Sequence, residues 1–333
     1  MNTPRTILRT SIAIISITTF HGWTFAQQSS APAQTASPAR NIRLSLIVTD
    51  QSNHSRDDVN KDEVQVLEDR VPQPISFFAN DDRPVNYAVA IDTSGSFKNL
   101  LNPTLDALKL LINRNRELDE TMLISFVSSD KIETIQNFTA DKSKLVESLK
   151  LFRIEGGQSA VIDAIYLAVQ AAAAYKAGDS SIRRAVVLIS DGEDRASYYT
   201  TDALIKLMRA KDVQVFIIGV VTQLDNSSGS IRSSPREAAE KLLSRVALET
   251  GGRVFFPKNI SQLTQAVGEI LHDLHAQYTI GYEPKNNANE NFRKIEAKII
   301  ETVGREKLIG IMRSGYFINP PDLDGKEKKK KSK

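Results

Sequence analysis

The stretch from Val85 to Ile91 constrains the fold most strongly. Its residues are apolar apart from Asn86, and polar and apolar side chains do not alternate along it. Such a run is typical of a strand that is covered on both faces in a parallel sheet. Similar strands and segments with helical periodicity follow; the predicted strands are 122–127, 185–189 and 213–221, and the predicted helices are 104–118, 160–177 and 202–211. This alternation predicts an α/β fold with a doubly wound, mostly parallel sheet.

Further elements extend the same pattern. A strand is predicted at 132–138, and a helix at 141–152 with Asp141 as its N-cap. The remaining elements are a helix at 236–250, a strand at 253–256 and a helix at 261–275, which give the α/β domain the predicted bounds 84–276. Residues 222–235 are polar, and we predict a long loop there. His272 and His275 lie near the end of the last helix, where we expect a solvated face.

Short strands are predicted on both sides of this domain. Those before it are 42–48, 63–67 and 74–78, with a turn at 68–72, and those after it are 277–282, 292–302 and 308–317. Three short strands do not form a stable unit by themselves. We therefore predict that the flanks 42–83 and 277–318 pair into one small β-rich domain, into which the α/β domain is inserted.

The N-terminus has the pattern of a secretory signal peptide. Arg5 and Arg9 precede an apolar run at 12–20, and Thr24 and Ala26 offer small residues for a cleavage position. We predict a signal peptide at 1–26, with an uncleaved N-terminal anchor as the alternative, and a flexible linker at 27–41. The apolar run is too short to span a membrane. We therefore expect an exported protein in the periplasm, at the cell surface or in the medium, without stable membrane insertion after cleavage.

Composition and charge narrow the choice of partners. The chain has no cysteine, so an exported form has no disulfides. Its formal net charge is +3, and residues 326–333 contain six lysines and one glutamate. The positive surplus therefore belongs to a tail at 319–333, which we predict to be disordered, and not to a basic groove. For this reason we expect no nucleic-acid partner.

Oxygen-bearing side chains follow directly on the first buried strand. Asp92, Ser94 and Ser96 alternate with Thr93 and Gly95. In an extended loop, residues at i, i+2 and i+4 point to the same side, and open α/β sheets bind ligands at the carboxyl ends of their strands. One carboxylate and two hydroxyls are hard ligands that suit Mg²⁺ or Mn²⁺. The alternative structural interpretation is a turn whose side chains cap the next helix.

The segment Asp92-Thr93-Ser94-Gly95-Ser96 resembles the D-x-S-x-S motif of the von Willebrand factor A family. Two further loops of that family have counterparts here in the same order. Ser159 stands where the family usually has a threonine, a few residues before Asp163-Ala164 at the start of a helix. The strand at 185–189 runs into Asp191-Gly192. The resemblance implies a Rossmann-like domain with a metal-ion-dependent adhesion site, whose ligands are Asp92, Ser94, Ser96, Ser159 and Asp191.

The resemblance also implies a function. In that family the hydroxyls bind the cation directly, and the counterparts of Asp92 and Asp191 act mainly through bound waters. The cation then keeps an open position for an acidic side chain of a partner protein. Residues 42–317 as a whole also look similar to exported bacterial proteins with such a domain. We therefore expect Mg²⁺- or Mn²⁺-dependent protein binding of the adhesion type. The alternative is a structural or assembly module of an envelope complex, in which the cation only holds the loops together.

The sequence gives little support for catalysis. An aspartic protease needs a glycine two residues after the aspartate and a second copy of the motif, whereas Ser94 holds that place. After Gly157-Gln158-Ser159-Ala160, Val161 stands where a hydrolase nucleophile elbow has its second glycine. No nucleophile, general base and oxyanion site occur together. We expect no catalytic residues and a protein that is not an enzyme, with a metal-assisted hydrolase as the remaining alternative.

Overall fold

Four strands open the part of the chain that the computed structural model describes, which comprises residues 41–224, 234–285, 291–302, 304–321 and 323. These strands are β1 (Ile42–Thr49), β2 (Val64–Glu68), β3 (Val71–Gln73) and β4 (Ile75–Asn80). The predicted signal peptide, the predicted linker up to residue 40, most of the predicted loop (225–233) and the lysine-rich part of the tail lie outside the described residues.

The strand β3 corrects a prediction, because 68–72 was expected to be a turn throughout. The turn consists of Asp69 and Arg70 alone, whose φ angles are 49° and 69°. A two-residue hairpin turn with positive φ at both positions matches the twist of the strands that it joins. Pairing therefore resumes at once, with Glu68 opposite Val71.

After β4 the chain alternates between strands and helices. The strands are β5 (Val85–Asp92), β6 (Glu120–Phe126), β7 (Ile132–Thr139), β8 (Arg183–Ser190), β9 (Gln214–Gly219) and β10 (Val254–Phe255). The helices are α1 (Leu101–Asn113), α2 (Lys142–Leu149), α3 (Val161–Ala174), α4 (Thr201–Ala210), α5 (Pro235–Thr250) and α6 (Ile260–His275). The strands form one sheet in the order β10-β9-β8-β5-β6-β7, with all neighbours parallel except β6 and β7. The predicted doubly wound, mostly parallel sheet is confirmed.

The strand β5 alternates its side chains between two layers of helices. Tyr87, Val89 and Ile91 belong to a core with α1, α2 and α6, whereas Ala88 and Ala90 pack with α3, α4 and α5. Every residue of β5 is buried, which explains why its sequence is a nearly continuous apolar run. Among the helices of the described ranges, none is long and apolar enough to cross a membrane.

The helix α1 begins and ends earlier than the predicted 104–118. It starts at Leu101 with Pro103 in its first turn, where proline is tolerated because the first N–H groups have no partner within the helix. It ends at Asn113, because Asn115 and Asp119 bond to β5 instead of continuing the helix. The end of this helix is therefore set by tertiary contacts.

Asp119 is a buried anchor at the start of β5. Its carboxylate accepts the N–H groups of Val85 (2.9 Å) and Arg116 (2.8 Å) and lies 2.8 Å from Nε2 of His275. Burial by itself raises the pKa of Asp119, but the hydrogen bonds from His275 and the two N–H groups hold it below its usual value.

The side chain of His275 is only 16% exposed, so the expectation of a solvated face was wrong for this histidine. His272 is exposed, as predicted.

The two flanks pair with each other. The last strands are β11 (Tyr278–Tyr282), β12 (Phe292–Ile299), β13 (Ile309–Ile311) and β14 (Gly315–Phe317). They complete two small sheets, β13-β1-β11-β4 and β14-β12-β2-β3, in which β1 pairs with β11 and β2 with β12. The predicted segment 308–317 is thus two strands in different sheets. Strand pairing between the flanks is confirmed, while 84 and 276 as the limits of a separately folding domain stay a prediction.

Candidate metal site

Two neighbouring parallel strands bring the predicted ligands together. β5 ends at Asp92 and β8 ends at Ser190, and Ile91 lies opposite Ile189. Asp92 and Asp191 therefore emerge next to each other. They lie at the carboxyl edge of the sheet, where open α/β folds bind their ligands.

The loop after β5 is fastened to the end of β6. The N–H and the hydroxyl of Thr93 both point at the carbonyl oxygen of Phe126, at 2.9 and 3.1 Å. The N–H of Ser94 donates to Oδ1 of Asp92 at 2.9 Å. Ser94 is buried and Ser96 is exposed, yet their hydroxyl oxygens are 3.0 Å apart. The loop thus presents both hydroxyls on one side, as the spacing predicted.

Two glycines shape the loop that carries Ser159. Gly156 and Gly157 have φ angles of 72° and 113°, a region that favours glycine. A Cβ atom on Gly157 would lie 2.9 Å from Cγ1 of Val127. Beyond the glycines, the N–H of Ala160 donates to the carbonyl of Val127 at 2.6 Å. These contacts hold Ser159 at the start of α3, beside the end of β6.

The five residues predicted as ligands form two groups of oxygen contacts, which the N–H of Ser94 joins by donating to Oδ1 of Asp92 at 2.9 Å. The hydroxyl of Ser159 lies 3.3 and 3.2 Å from the two carboxylate oxygens of Asp92. The hydroxyl of Ser96 donates to Oδ2 of Asp191 at 2.7 Å, and it also contacts Ser94. The structure therefore brings together all five side chains.

The charge and the donor atoms of this network fit a hard divalent cation. Burial raises the pKa of Asp92, and the nearby charge of Asp191 raises it further. Within the described chain, both carboxylates are bonded to hydroxyl and backbone N–H groups. The same described residues contain no group of three or more His, Cys, Asp or Glu side chains that could hold a metal ion by themselves. Two carboxylates and three hydroxyls, open to solvent at Ser96, are the oxygen donors that Mg²⁺ and Mn²⁺ prefer.

Ser190 is a member of the network that sequence analysis did not identify. Its buried hydroxyl donates to Oδ2 of Asp92 at 2.7 Å and accepts the N–H of Gly192 at 3.0 Å. It therefore holds the carboxylate of Asp92 and orients the turn after Asp191. Its place directly before Asp191, at the end of a buried strand, was the available signal.

Asp163 is another buried residue beside the network, and the sequence predicted no role for it, although its Asp-Ala pair contributed to the resemblance. It is buried in the first turn of α3, four residues after Ser159. Its carboxylate contacts the segment that follows Asp191. The contact joins residues that are 35 and 36 positions apart, so the sequence around Asp163 does not reveal it.

A family model agrees with this architecture. The model of a family described as von Willebrand factor type A domain matches residues 87–269. A search of curated proteins found no match. Among solved structures, an aerotolerance-related membrane protein from Bacteroides fragilis is 21% identical, with a TM-score of 0.44 over 56% of this chain and 98% of that chain.

Two other solved structures match this chain over about half of their own length. Proximal thread matrix protein 1 from the mussel byssus, solved with a zinc-occupied MIDAS motif, is 15% identical, with a TM-score of 0.45 over 59% of this chain and 49% of that chain. The pilus adhesin SpaC from Lactobacillus rhamnosus GG is 10% identical, with a TM-score of 0.45 over 76% of this chain and 47% of that chain.

Proposed function

Because the chain belongs to the von Willebrand factor type A domain family, we propose that it is a divalent-cation-dependent protein-binding module of the adhesion type. Domains of this family often serve as metal-dependent adhesion or protein-interaction modules. The observation that carries the proposal is the convergence of two carboxylates and three hydroxyls at the carboxyl edge of the sheet, with Ser96 facing solvent.

In this proposal each side chain has a defined task. The residues that hold Mg²⁺ or Mn²⁺ are Asp92, Ser94, Ser96, Ser159 and Asp191. Ser190 keeps the carboxylate of Asp92 in place by donating its hydroxyl. A cation bound there supplies an electrophilic position to which a carboxylate can attach, since neutral hydroxyl ligands leave it under-neutralised. The exposed side at Ser96 is where such a carboxylate enters.

The partner that fits this chemistry is a protein with an accessible Glu or Asp side chain. We place the encounter outside the cytoplasm, in the periplasm, at the cell surface or in the medium, because residues 1–26 have the pattern of a signal peptide. In the alternative, an assembly module, the cation only stabilises the loops and no acidic partner is needed.

A melting experiment tests the cation site. Wild-type protein is melted in chelator and in millimolar Mg²⁺ or Mn²⁺, beside Asp92→Ala and Ser96→Ala. A ligand at about 100 times its Kd adds roughly 2.7 kcal/mol to the free energy of unfolding, which raises the Tm by several degrees. We expect this shift in the wild type and in the control Ser52→Ala, another exposed serine, and not in the two site variants. A wild type without a shift contradicts the proposal.

A peptide array separates the two forms of the proposal. Peptides that contain Glu or Asp are compared with the same peptides carrying Gln or Asn, in Mg²⁺ and in chelator. Protein binding through the cation predicts retention that requires both the carboxylate and Mg²⁺. Retention that is unchanged by chelator contradicts cation-mediated binding, and a melting shift without any retained acidic peptide favours the assembly module.

A further inference from the structure

A buried carboxylate outside the ligand set connects the loops of the candidate metal site. Asp163 is only 2% exposed. Its Oδ2 accepts the N–H of Tyr198 at 2.7 Å, and its Oδ1 accepts the N–H of Tyr199 at 2.8 Å. The hydroxyl of Ser129 donates to Oδ2 at 2.5 Å. Three donors from two different loops thus meet one side chain.

These contacts tie the segment after Asp191 to the helix after Ser159. The segment 194–199 follows the loop that carries Asp191, and Asp163 lies in the first turn of α3. The N–H of Asp163 donates to the hydroxyl of Ser197 at 3.1 Å. The N–H of Ile162 donates to Oδ1 of Asp194 at 3.2 Å. The segment is therefore bonded to two consecutive N–H groups in the first turn of the helix.

The same segment is also fastened to the backbone of Ser159. The carbonyl oxygen of Ser159 accepts the N–H groups of Arg195 and Ala196, at 2.9 and 3.1 Å. The hydroxyl of Ser129, which follows β6, lies 2.6 Å from the carbonyl oxygen of Ala196. The loop that carries Ser159, the segment after Asp191 and the loop after β6 are thus joined directly behind the proposed ligand side chains.

We infer that Asp163 is a positioning residue that fixes Ser159 relative to Asp191 and thereby sets the affinity of the site for its cation. This inference depends on the proposed metal site. Two ligands from separate loops bind one cation well only if their separation is fixed before binding, and partners behind the ligands supply that order. Asp163 supplies it here by holding one loop through Tyr198 and Tyr199, while it belongs to the helix that Ser159 precedes.

The test is the variant Asp163→Asn in the full chain. The amide keeps one acceptor oxygen. Its NH₂ group, however, faces N–H or O–H donors that in the wild type donate to a carboxylate oxygen. Binding of Mn²⁺ and Mg²⁺ is measured by titration calorimetry, and the Tm is measured in chelator. We expect the cation Kd to rise by about 10- to 100-fold, the range for residues that orient metal ligands.

A matched control separates positioning from stability. Asp119 is also fully buried and also accepts two backbone N–H groups and one side-chain contact. It lies where β5 begins, at the opposite end of the strand from Asp92. Asp119→Asn should therefore lower the Tm in chelator as Asp163→Asn does, and leave the cation Kd within about twofold of the wild type.

The possible results distinguish a failure of the proposed function from a failure of this inference. If the wild type binds no cation, the proposed function fails, and this inference fails with it. If the wild type binds and Asp163→Asn binds equally well with a lowered Tm in chelator, the residue is only structural and the inference is overturned. If Asp163→Asn does not fold, Ser129→Ala removes one of the three donors from a partly exposed position. A weaker cation Kd in that variant supports the inference, and an unchanged one overturns it.

Discussion

The hydroxyl of Ser159 is the least firmly held of the three in the candidate site. It lies 3.2 and 3.3 Å from the oxygens of Asp92, whereas the hydroxyl of Ser96 lies 2.7 Å from Asp191. Short contacts restrict a hydroxyl more than long ones. Serine also lacks the β-methyl that restricts the side-chain torsion of threonine. A cation that binds Ser159 therefore has to order this side chain first.

Replacing Ser159 by threonine should tighten cation binding. The added methyl lowers the rotamer entropy that is lost on binding, and we expect the Kd for Mg²⁺ to fall by roughly two- to threefold. Ser159→Ala removes the proposed ligand oxygen and should weaken binding well beyond that range. Titration calorimetry of both variants beside the wild type checks the order Thr, Ser, Ala. An alanine variant that binds as well as the wild type would remove Ser159 from the ligand set.

The candidate site was predictable to the extent that it lies in local sequence. Asp92, Ser94 and Ser96 were identified by their spacing after a buried strand, and Ser159 and Asp191 by the resemblance of two later loops to those of the von Willebrand factor A family. Residues such as Asp163 escaped prediction because their partners are distant in sequence, 34 to 36 positions away. Only the folded chain brings such partners within hydrogen-bond distance.

At the scale of elements, the C-terminal end of α4 is capped by a residue from the flank. Nη2 of Arg313 donates to the carbonyl oxygens of Met208, Arg209 and Lys211, at 3.4, 2.9 and 3.2 Å. The last carbonyls of a helix have no partner within it and carry partial negative charge, so a guanidinium is favourable there. The side chain of Arg313 is 14% exposed. Its bonds are therefore shielded from solvent.

Arg313→Ala should destabilise the protein by about 1–3 kcal/mol, because charge-assisted bonds are lost and half-buried carbonyls at the helix end lose their partner. The matched control is Arg245→Ala. Arg245 pairs with Asp202 at 3.9 Å, with side chains 47% and 89% exposed, and such exposed pairs contribute little. Urea unfolding at neutral pH measures both variants. Equal stability losses in the two would show that the helix cap has no special role.

Helices and strands were predicted well where local sequence determines them, and less well where contacts with distant residues determine their ends. The buried run of β5 and the N-cap Asp141, which accepts the N–H of Lys144 at 3.0 Å, were identified from the sequence. The ends of α1 were misplaced because tertiary contacts determine them. The segment 308–317 divides into β13 and β14 because its two halves pair with different strands, β1 and β12. Nothing local in that segment specifies those partners.

At the scale of the whole molecule, each small sheet needs both ends of the described chain. β1 lies between β11 and β13, and β2 lies between β3 and β12. The core of these sheets combines side chains from both flanks, including Leu46, Val66, Ile280 and Tyr282. Neither flank alone can bury this apolar surface. Folding of the flanks therefore depends on residues that are more than two hundred positions apart, as in the pairing of Ile42 with Tyr282.

Three shortened chains should behave differently for this reason. A chain of residues 27–276 keeps β1 to β4 but lacks every strand that pairs with β1, so its unpaired edges and apolar faces should cause aggregation. A chain of residues 84–276, which lacks both flanks, should stay soluble because its parallel sheet is complete. A chain of residues 27–323 lacks the lysine-rich end and should keep the Tm of a chain of residues 27–333. Soluble yield, size-exclusion chromatography and thermal melts distinguish the three. A soluble, monomeric 27–276 chain would mean that the first flank folds without the second, and the inserted arrangement of the α/β domain would then be wrong.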